Sequence, residues 1–297
     1  MNKRIFGRSG IPVSELCFGT MNFGWTIDRE NAFALLDQYH ASGGSFFQAV
    51  HVSADLPLLP TTFRAPEEWV GKWFRSRSIS REELVLSSRL SLHGPGRSEQ
   101  KPLGDQLRES CESSLKRFGV EYLDLLICEW SQSFLPAENA LEAFGDLIES
   151  GRVRQIAIAN VPLWRVMEAL VHEKSGQPRR FEGVQMEYSL LSWPEAREEA
   201  HELCESYGLG LLVTSALGGA ATGRRQNSQK RLTPAAVGHG RTLERVRREA
   251  PKGALVEQLA LAWVLSQPQV TSVVISVNTP GQLQELVEAA SWGIGRA

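Results

Sequence analysis

Cysteine is scarce and scattered: Cys17, Cys111, Cys128 and Cys204 include no C-x-x-C pair. That argues against a zinc module or a disulfide framework. Cys17 and Cys128 fall in strand-like runs and Cys111 and Cys204 in helix-like ones, where thiols are ordinary packing groups. No apolar run reaches the length of a membrane span, and the opening MNKRIFGRSGIPVSELCFG has no continuous apolar stretch of the kind a secretory leader needs. The expectation is a soluble cytoplasmic protein with no membrane partner. An excess of one charge is also missing. The formal net charge is -2 over 297 residues, so a large nucleic-acid footprint is not expected. Neither an internal repeat nor a linker-like stretch divides the chain, and residues 1–297 are expected to form one domain.

What is present is an alternation. SELCFG, SFFQAV, ELVLSS, YLDLLICE, RQIAIAN, EGVQMEYS, GLLVTSA and TSVVISV are short apolar runs, each followed by a segment of helical periodicity. In PLGDQLRESCESSLKRFG, Leu103, Leu107, Cys111, Leu115 and Phe118 share one stripe. In NALEAFGDLIESG, Leu141, Phe144 and Leu147 do so ahead of a stop at Gly151. Runs such as LLVTSA and SVVISV suit parallel strands covered on both faces. Eight such units in a chain of this length predict an α/β fold, a closed (β/α)8 TIM barrel, with KRIFGRSGIPVS as an N-terminal β-hairpin across its bottom. Two loops are long, from His51 to Ala65 and from Gly218 to Gly240. The second, with GGAATGRRQNSQKR, is Gly-rich and basic and is either a solvated loop or an anion contact.

The order and wording of these segments resemble the aldo/keto reductase family over nearly the whole chain. LCFGTMNFG is similar to the family's first strand and turn, and PEEWVGKWF to the helix after its tyrosine loop. ESGRVRQIAIANVP resembles the fifth strand, GVQMEYSLL the sixth, and ALVEQLALAWVLSQPQVTSVV the approach to the last. The resemblance implies carbonyl reduction by hydride transfer from NADPH, with a Tyr as general acid assisted by Lys, Asp and His at the C-terminal face of the barrel. Those four positions are altered here. The Asp position falls on Gln48, the Tyr position near Ser53, the Lys position on Arg89 and the His position on Glu129, and no Tyr stands between Tyr39 and Tyr122.

These replacements cannot run the implied mechanism. A serine is too weak an acid, and an arginine stays protonated, so it stabilises negative charge without shuttling a proton. Glu129 alone among the four is a proton carrier. Buried away from Arg89 it would suit an acid or base; paired with Arg89 it would favour the charged form and suit a charge-holding role. His51 and His93, just beyond the second and third strands, are further near-neutral groups on the same face, or ordinary surface histidines. With Glu129 they make a metal-ligand set only on paper, and no metal is expected.

The cofactor positions that the resemblance implies are eroded as well. Asn160 and Gln185 are retained, but the adjoining Ser is Ala159 and the ring that stacks on the nicotinamide is Thr214. In the last strand, the Gly position is Ser276 and the Arg that meets the 2'-phosphate is Asn278. Gln282 and Glu285 keep their places, and the following Asn is Leu286. Losing a stacking ring and a charge-assisted phosphate contact weakens binding by orders of magnitude, so usual NADPH binding is expected to be weak or absent.

Three functions fit this pattern. One is a repurposed enzyme acting on a small, anionic or carbonyl-containing molecule by acid/base or electrostatic catalysis. It would use Glu129 and Arg89, with His51 as a second proton carrier and Gln48, Asn160, Gln185, Thr214 and Gln282 around the ligand; Trp130 would be an apolar wall or a packing residue. The second is a catalytically inactive scaffold or binding protein. The third is a nicotinamide-dependent oxidoreductase with a displaced proton donor. The expected partner is a small-molecule substrate, met by a monomer or a homo-oligomer.

Overall fold

Two short strands, β1 (Lys3–Ile5) and β2 (Pro12–Ser14), pair antiparallel with Lys3 opposite Ser14 and Ile5 opposite Pro12. This hairpin lies across one end of a larger sheet. A side chain on Gly183 would come within 2.4 Å of the Phe6 ring, and one on Gly210 within 2.9 Å. Both glycines begin strands, so Phe6 plugs the end where the strands start. The backbone N–H of Arg8 donates to the buried Glu182 carboxylate at 3.0 Å and holds the turn in place.

The larger sheet is a closed parallel barrel of eight strands: β3 (Leu16–Gly19), β4 (Phe46–Val50), β5 (Val85–Leu92), β6 (Leu123–Trp130), β7 (Val153–Ala159), β8 (Gly183–Glu187), β9 (Gly210–Thr214) and β10 (Val270–Ile275), with β10 returning to pair with β3. The helices are α1 (Arg29–Ala41), α2 (Ala65–Ser76), α3 (Leu103–Phe118), α4 (Ala137–Glu149), α5 (Leu163–His172), α6 (Pro194–Tyr207), α7 (Val256–Ser266) and α8 (Pro280–Ser291). The computed structural model describes residues 1–50, 65–92, 103–130, 137–172, 181–189, 194–216 and 247–293. Most of the two long loops, including the Gly-rich basic stretch, lies outside them. Among the described residues no helix is long and apolar enough to cross a membrane.

Strand alternation divides the core in two. Phe46, Val85, Leu125, Ile127, Ala157, Ala159 and Leu212 cluster with Phe6, Ile11 and Val13 inside the barrel. Their neighbours Phe47, Leu86, Leu126, Ile156, Ile158, Leu211 and Val213 point outward and pack against the helices. The expected α3 stripe is buried at Leu107, Cys111, Leu115 and Phe118, and that of α4 at Leu141, Phe144 and Leu147. Gly151 ends α4 with φ 74, its N–H bonded to the Ile148 carbonyl at 3.0 Å, the left-handed stop that a glycine adopts without strain. Helix starts are capped by side chains: Asp28 accepts from Asn31 N–H at 2.9 Å ahead of α1, and Thr279 from Gln282 N–H at 3.3 Å ahead of α8. All four cysteines are free and buried, two on strands and two on helices. Burial pushes the Cys111 and Cys204 thiols up to about 12 and those of Cys17 and Cys128 upward as well. They are packing groups, not nucleophiles.

Candidate active site at the barrel mouth

Alternation sets which residues of six strands face inward near the mouth. Among those whose side chains are described, they are Gln48 on β4, Arg89 on β5, Glu129 on β6, Ala159 on β7, Gln185 and Glu187 on β8, and Thr214 on β9. Registers tie the layer together: Glu129 is opposite Ala159, and Ala159 opposite Gln185. The six positions singled out by sequence, Gln48, Arg89, Glu129, Asn160, Gln185 and Thr214, therefore gather at the C-terminal mouth. His51 lies outside the described residues, as do Ser53, His93 and the side chain of Trp130.

Two hydrogen-bonded groups shape this mouth. The first is its floor. In barrel order β4 and β8 are separated by three strands on either side, so Gln48 and Gln185 face each other across the full diameter. Their side-chain amides pair reciprocally: Gln48 Nε2 donates to Gln185 Oε1 at 3.0 Å, and Gln185 Nε2 to Gln48 Oε1 at 3.2 Å. Both are buried. Polar groups in that position need one another, since a buried amide without a partner is costly. The floor is a closed bridge.

The second group is charged. Arg89 and Glu129 approach to 3.0 Å, with 21% and 30% of their side chains exposed. The other carboxylate oxygen of Glu129 accepts from the Asn160 carboxamide at 2.7 Å. Asn160 sits just past β7 in the left-handed region at φ 55, anchored by its N–H to the Gln185 carbonyl at 3.1 Å. Asparagine tolerates that conformation better than most residues, and here it turns the carboxamide onto β6. Of the two alternatives left open by the sequence, this is the paired one, the arrangement that suits a charge-holding role. The arrangement holds a fixed cation and a carboxylate side by side, accessible from the mouth.

Sequence reasoning missed a second copy of this device. Ser215, just past β9, is also left-handed at φ 55, and its hydroxyl donates to Glu187 at 3.3 Å. Glu187 lies two residues beyond Gln185 and shares its inward face. That spacing is the signal from which it could have been found.

All four tyrosines of the chain are placed, and none offers a phenol to the mouth. Tyr39 is buried where the strands begin, its hydroxyl bonded to the carbonyls of Leu16 at 2.6 Å and Phe46 at 3.0 Å. Tyr122 precedes β6 and Tyr207 ends α6, at the same end. Tyr188 points outward, stacked on Trp263 and His201 and bonded to the His201 ring at 2.8 Å.

The positions implied for a nicotinamide dinucleotide do not fit that group in the family's manner. Gln185 is engaged by Gln48 and Asn160 by Glu129, while Thr214 supplies no ring. Where a guanidinium would meet a phosphate, Asn278 forms a neutral clasp. Its side-chain oxygen accepts from Asn22 at 2.9 Å and Thr26 at 3.1 Å, and its N–H donates to the Gln282 side chain at 2.9 Å. Gln282 is thereby turned to the backbone. Among the described residues no group of three or more His, Cys, Asp or Glu is placed to hold a metal. A cleft of about 760 Å³ between α1 and α2, lined by Asp28, Phe33, Asp37, Lys72 and Arg77 among others, lies on the outer wall, away from the mouth.

The sequence pattern of the aldo/keto reductase family matches residues 15–293. An uncharacterized oxidoreductase of Bacillus subtilis, YrpG, is 29% identical over 100% of this chain and 93% of its own. The norsolorinic acid reductase stcV of Emericella nidulans is 30% identical over 93% of this chain and 74% of its own. Protein tas of Escherichia coli is 30% identical over 95% of this chain and 90% of its own.

Proposed function

The chain belongs to the aldo/keto reductase family, a family of oxidoreductases, and from that premise we propose that it transforms a small carbonyl-containing or anionic molecule by proton transfer at the mouth, without the family's tyrosine acid. The observation that carries this reading is the accessible Arg89–Glu129 pair, 3.0 Å apart and oriented by Asn160. In the proposed step, the Glu129 carboxylate takes a proton from the carbon next to the substrate carbonyl. The C–H electron pair forms a carbon–carbon double bond, and the carbonyl π pair moves to oxygen. Arg89, a permanent cation, stabilises that oxyanion. Asn160 keeps Glu129 aimed, and the Gln48–Gln185 bridge seals the barrel interior below the ligand. Usual NADPH binding is weak or absent in this reading, because Asn160 and Gln185 are engaged by Glu129 and Gln48 and Asn278 offers no cation to the 2'-phosphate.

The test is proton exchange without nicotinamide. Small 2-oxo acids and α-hydroxyketones would be incubated with the protein in D2O and followed by proton NMR. The wild type should accelerate loss of the signal next to the carbonyl. Glu129→Gln should cut the rate by about 100-fold or more, the range typical of a general base. Arg89→Met should both weaken binding of 2-oxo acids and slow exchange. Conversion that depends on added NADPH or NADH, with no exchange in its absence, would reject the proposal.

That outcome would favour a second reading, supported by a separate observation: relatives such as stcV carry reductase names. The chain would then be a nicotinamide-dependent oxidoreductase whose proton donor is displaced from tyrosine to Glu129 or His51.

A further inference from the structure

We propose that Glu187 is the second proton-transfer group of the mouth, so that the reaction is a 1,2-hydrogen shift that isomerises an α-hydroxy carbonyl compound. The inference rests on the reading of Glu129 as base. Gly183 and Gln185 face the barrel interior, and the two-residue period of a strand gives Glu187 the same direction at the exposed end of β8. Glu129 and Glu187 flank β7 on either side, with strand backbones about 10 Å apart and Glu187 raised by one two-residue step of roughly 7 Å. Both side chains are long enough to converge over β7 on adjacent carbons of one small substrate. Each carboxylate is oriented from the neighbouring strand end by a left-handed residue, Glu129 by Asn160 and Glu187 by Ser215. Their partners differ. Glu129 meets a guanidinium, whereas the contact Glu187 makes among the described residues is a neutral hydroxyl.

The step balances without an oxidant. Glu129 removes the proton from the hydroxyl-bearing carbon, leaving an enediolate whose oxyanion faces Arg89. A solvent proton relayed through the Glu187 carboxylate goes to the former carbonyl carbon. The oxyanion takes the proton of the neighbouring hydroxyl, which becomes the new carbonyl. Both glutamates then re-equilibrate with water. Proton delivery by Glu187 to the second carbon distinguishes isomerisation from simple exchange.

The experiment follows two signals in D2O with α-hydroxyketones: loss of the proton on the hydroxyl-bearing carbon, and appearance of the isomer. The expected result for Glu187→Gln is isomer formation slowed about 100-fold or more, with exchange slowed far less. Isomer formation at the wild-type rate would overturn the inference and leave Glu129 standing, as would equal loss of both signals in a folded variant. Absence of exchange in the wild type would be a failure of the Glu129 reading, and this inference would fall with it. If Glu187→Gln does not fold, Glu187→Ala with added formate replaces it. Restoration of isomer formation by formate supports the assignment, and a folded Glu187→Ala that isomerises unaided rejects it.

Discussion

Asp124 and Glu129 stand on one strand, near opposite ends of β6, and each is a carboxylate in contact with arginine. Asp124 points outward, is 1% exposed, and is saturated: Arg81 donates at 2.6 Å, Arg154 at 2.9 Å and the Leu86 N–H at 2.9 Å. It stitches the starts of β5, β6 and β7 together. Glu129 points inward at the mouth, 30% exposed, with Arg89 and Asn160 as partners. The difference lies in what could be added. Nothing more fits around Asp124, whereas both halves of the Glu129 pair are partly exposed. One strand thus carries a carboxylate buried for cohesion at its start and one partly exposed at its end.

The largest effect should come from breaking the closed end. Asp124→Ala leaves Arg81, 13% exposed, beside an emptied site, and should cost roughly 3–5 kcal/mol, as removal of one partner of a buried pair does. Glu129→Gln, nearly isosteric and partly exposed, should change stability by no more than about 1 kcal/mol. Urea denaturation of both variants measures the contrast. Equal losses would mean that the mouth pair is structural after all.

The Gln48–Gln185 bridge gives a smaller effect and sharpens the same comparison within the mouth. Gln48→Leu orphans a buried amide and should cost about 1–3 kcal/mol, while the double change to leucine should recover most of that loss. Additive losses in that cycle would show that the two amides do not depend on each other.

The smallest effect belongs to the surface. The Arg77 guanidinium, donating to both carboxylate oxygens, holds Asp37 below the usual carboxylate range, with help from the Trp73 indole. A carboxyl whose folded value is depressed contributes stability above its unfolded value near 4, and loses it as pH falls through the folded value. Asp37→Asn should therefore lower the urea midpoint slightly at pH 7 and leave it unchanged near pH 2. The pair is about half exposed, so solvent screening keeps the shift small.

The barrel was legible because its signals are local. Short apolar runs alternating with stripes such as Leu107–Cys111–Leu115 specify strands and helices, and eight of them leave few topologies. The membership of the mouth followed from the family resemblance, which carries Gln48, Arg89, Glu129, Asn160, Gln185 and Thr214 onto strand ends. The wiring did not, because it depends on closure. Gln48 and Gln185 are 137 positions apart and meet only across the diameter of the finished barrel. The turn of Asn160 onto Glu129, and the clasp of Asn278 with Asn22 and Thr26, depend on backbone conformations that composition does not encode. Glu187 is a different case. Its alternation with Gln185 is in the sequence, but no family position falls on it.

The central claim is that this mouth has been rewired from a dinucleotide site into a polar site of its own. Calorimetric titration of the wild-type protein with NADPH and then NADH tests it most directly. The account predicts binding too weak to fit, or weak binding with no preference for the 2'-phosphate, since Asn278 offers no cation there. Saturable NADPH binding in the low-micromolar range or tighter, with a clear preference over NADH, would contradict it.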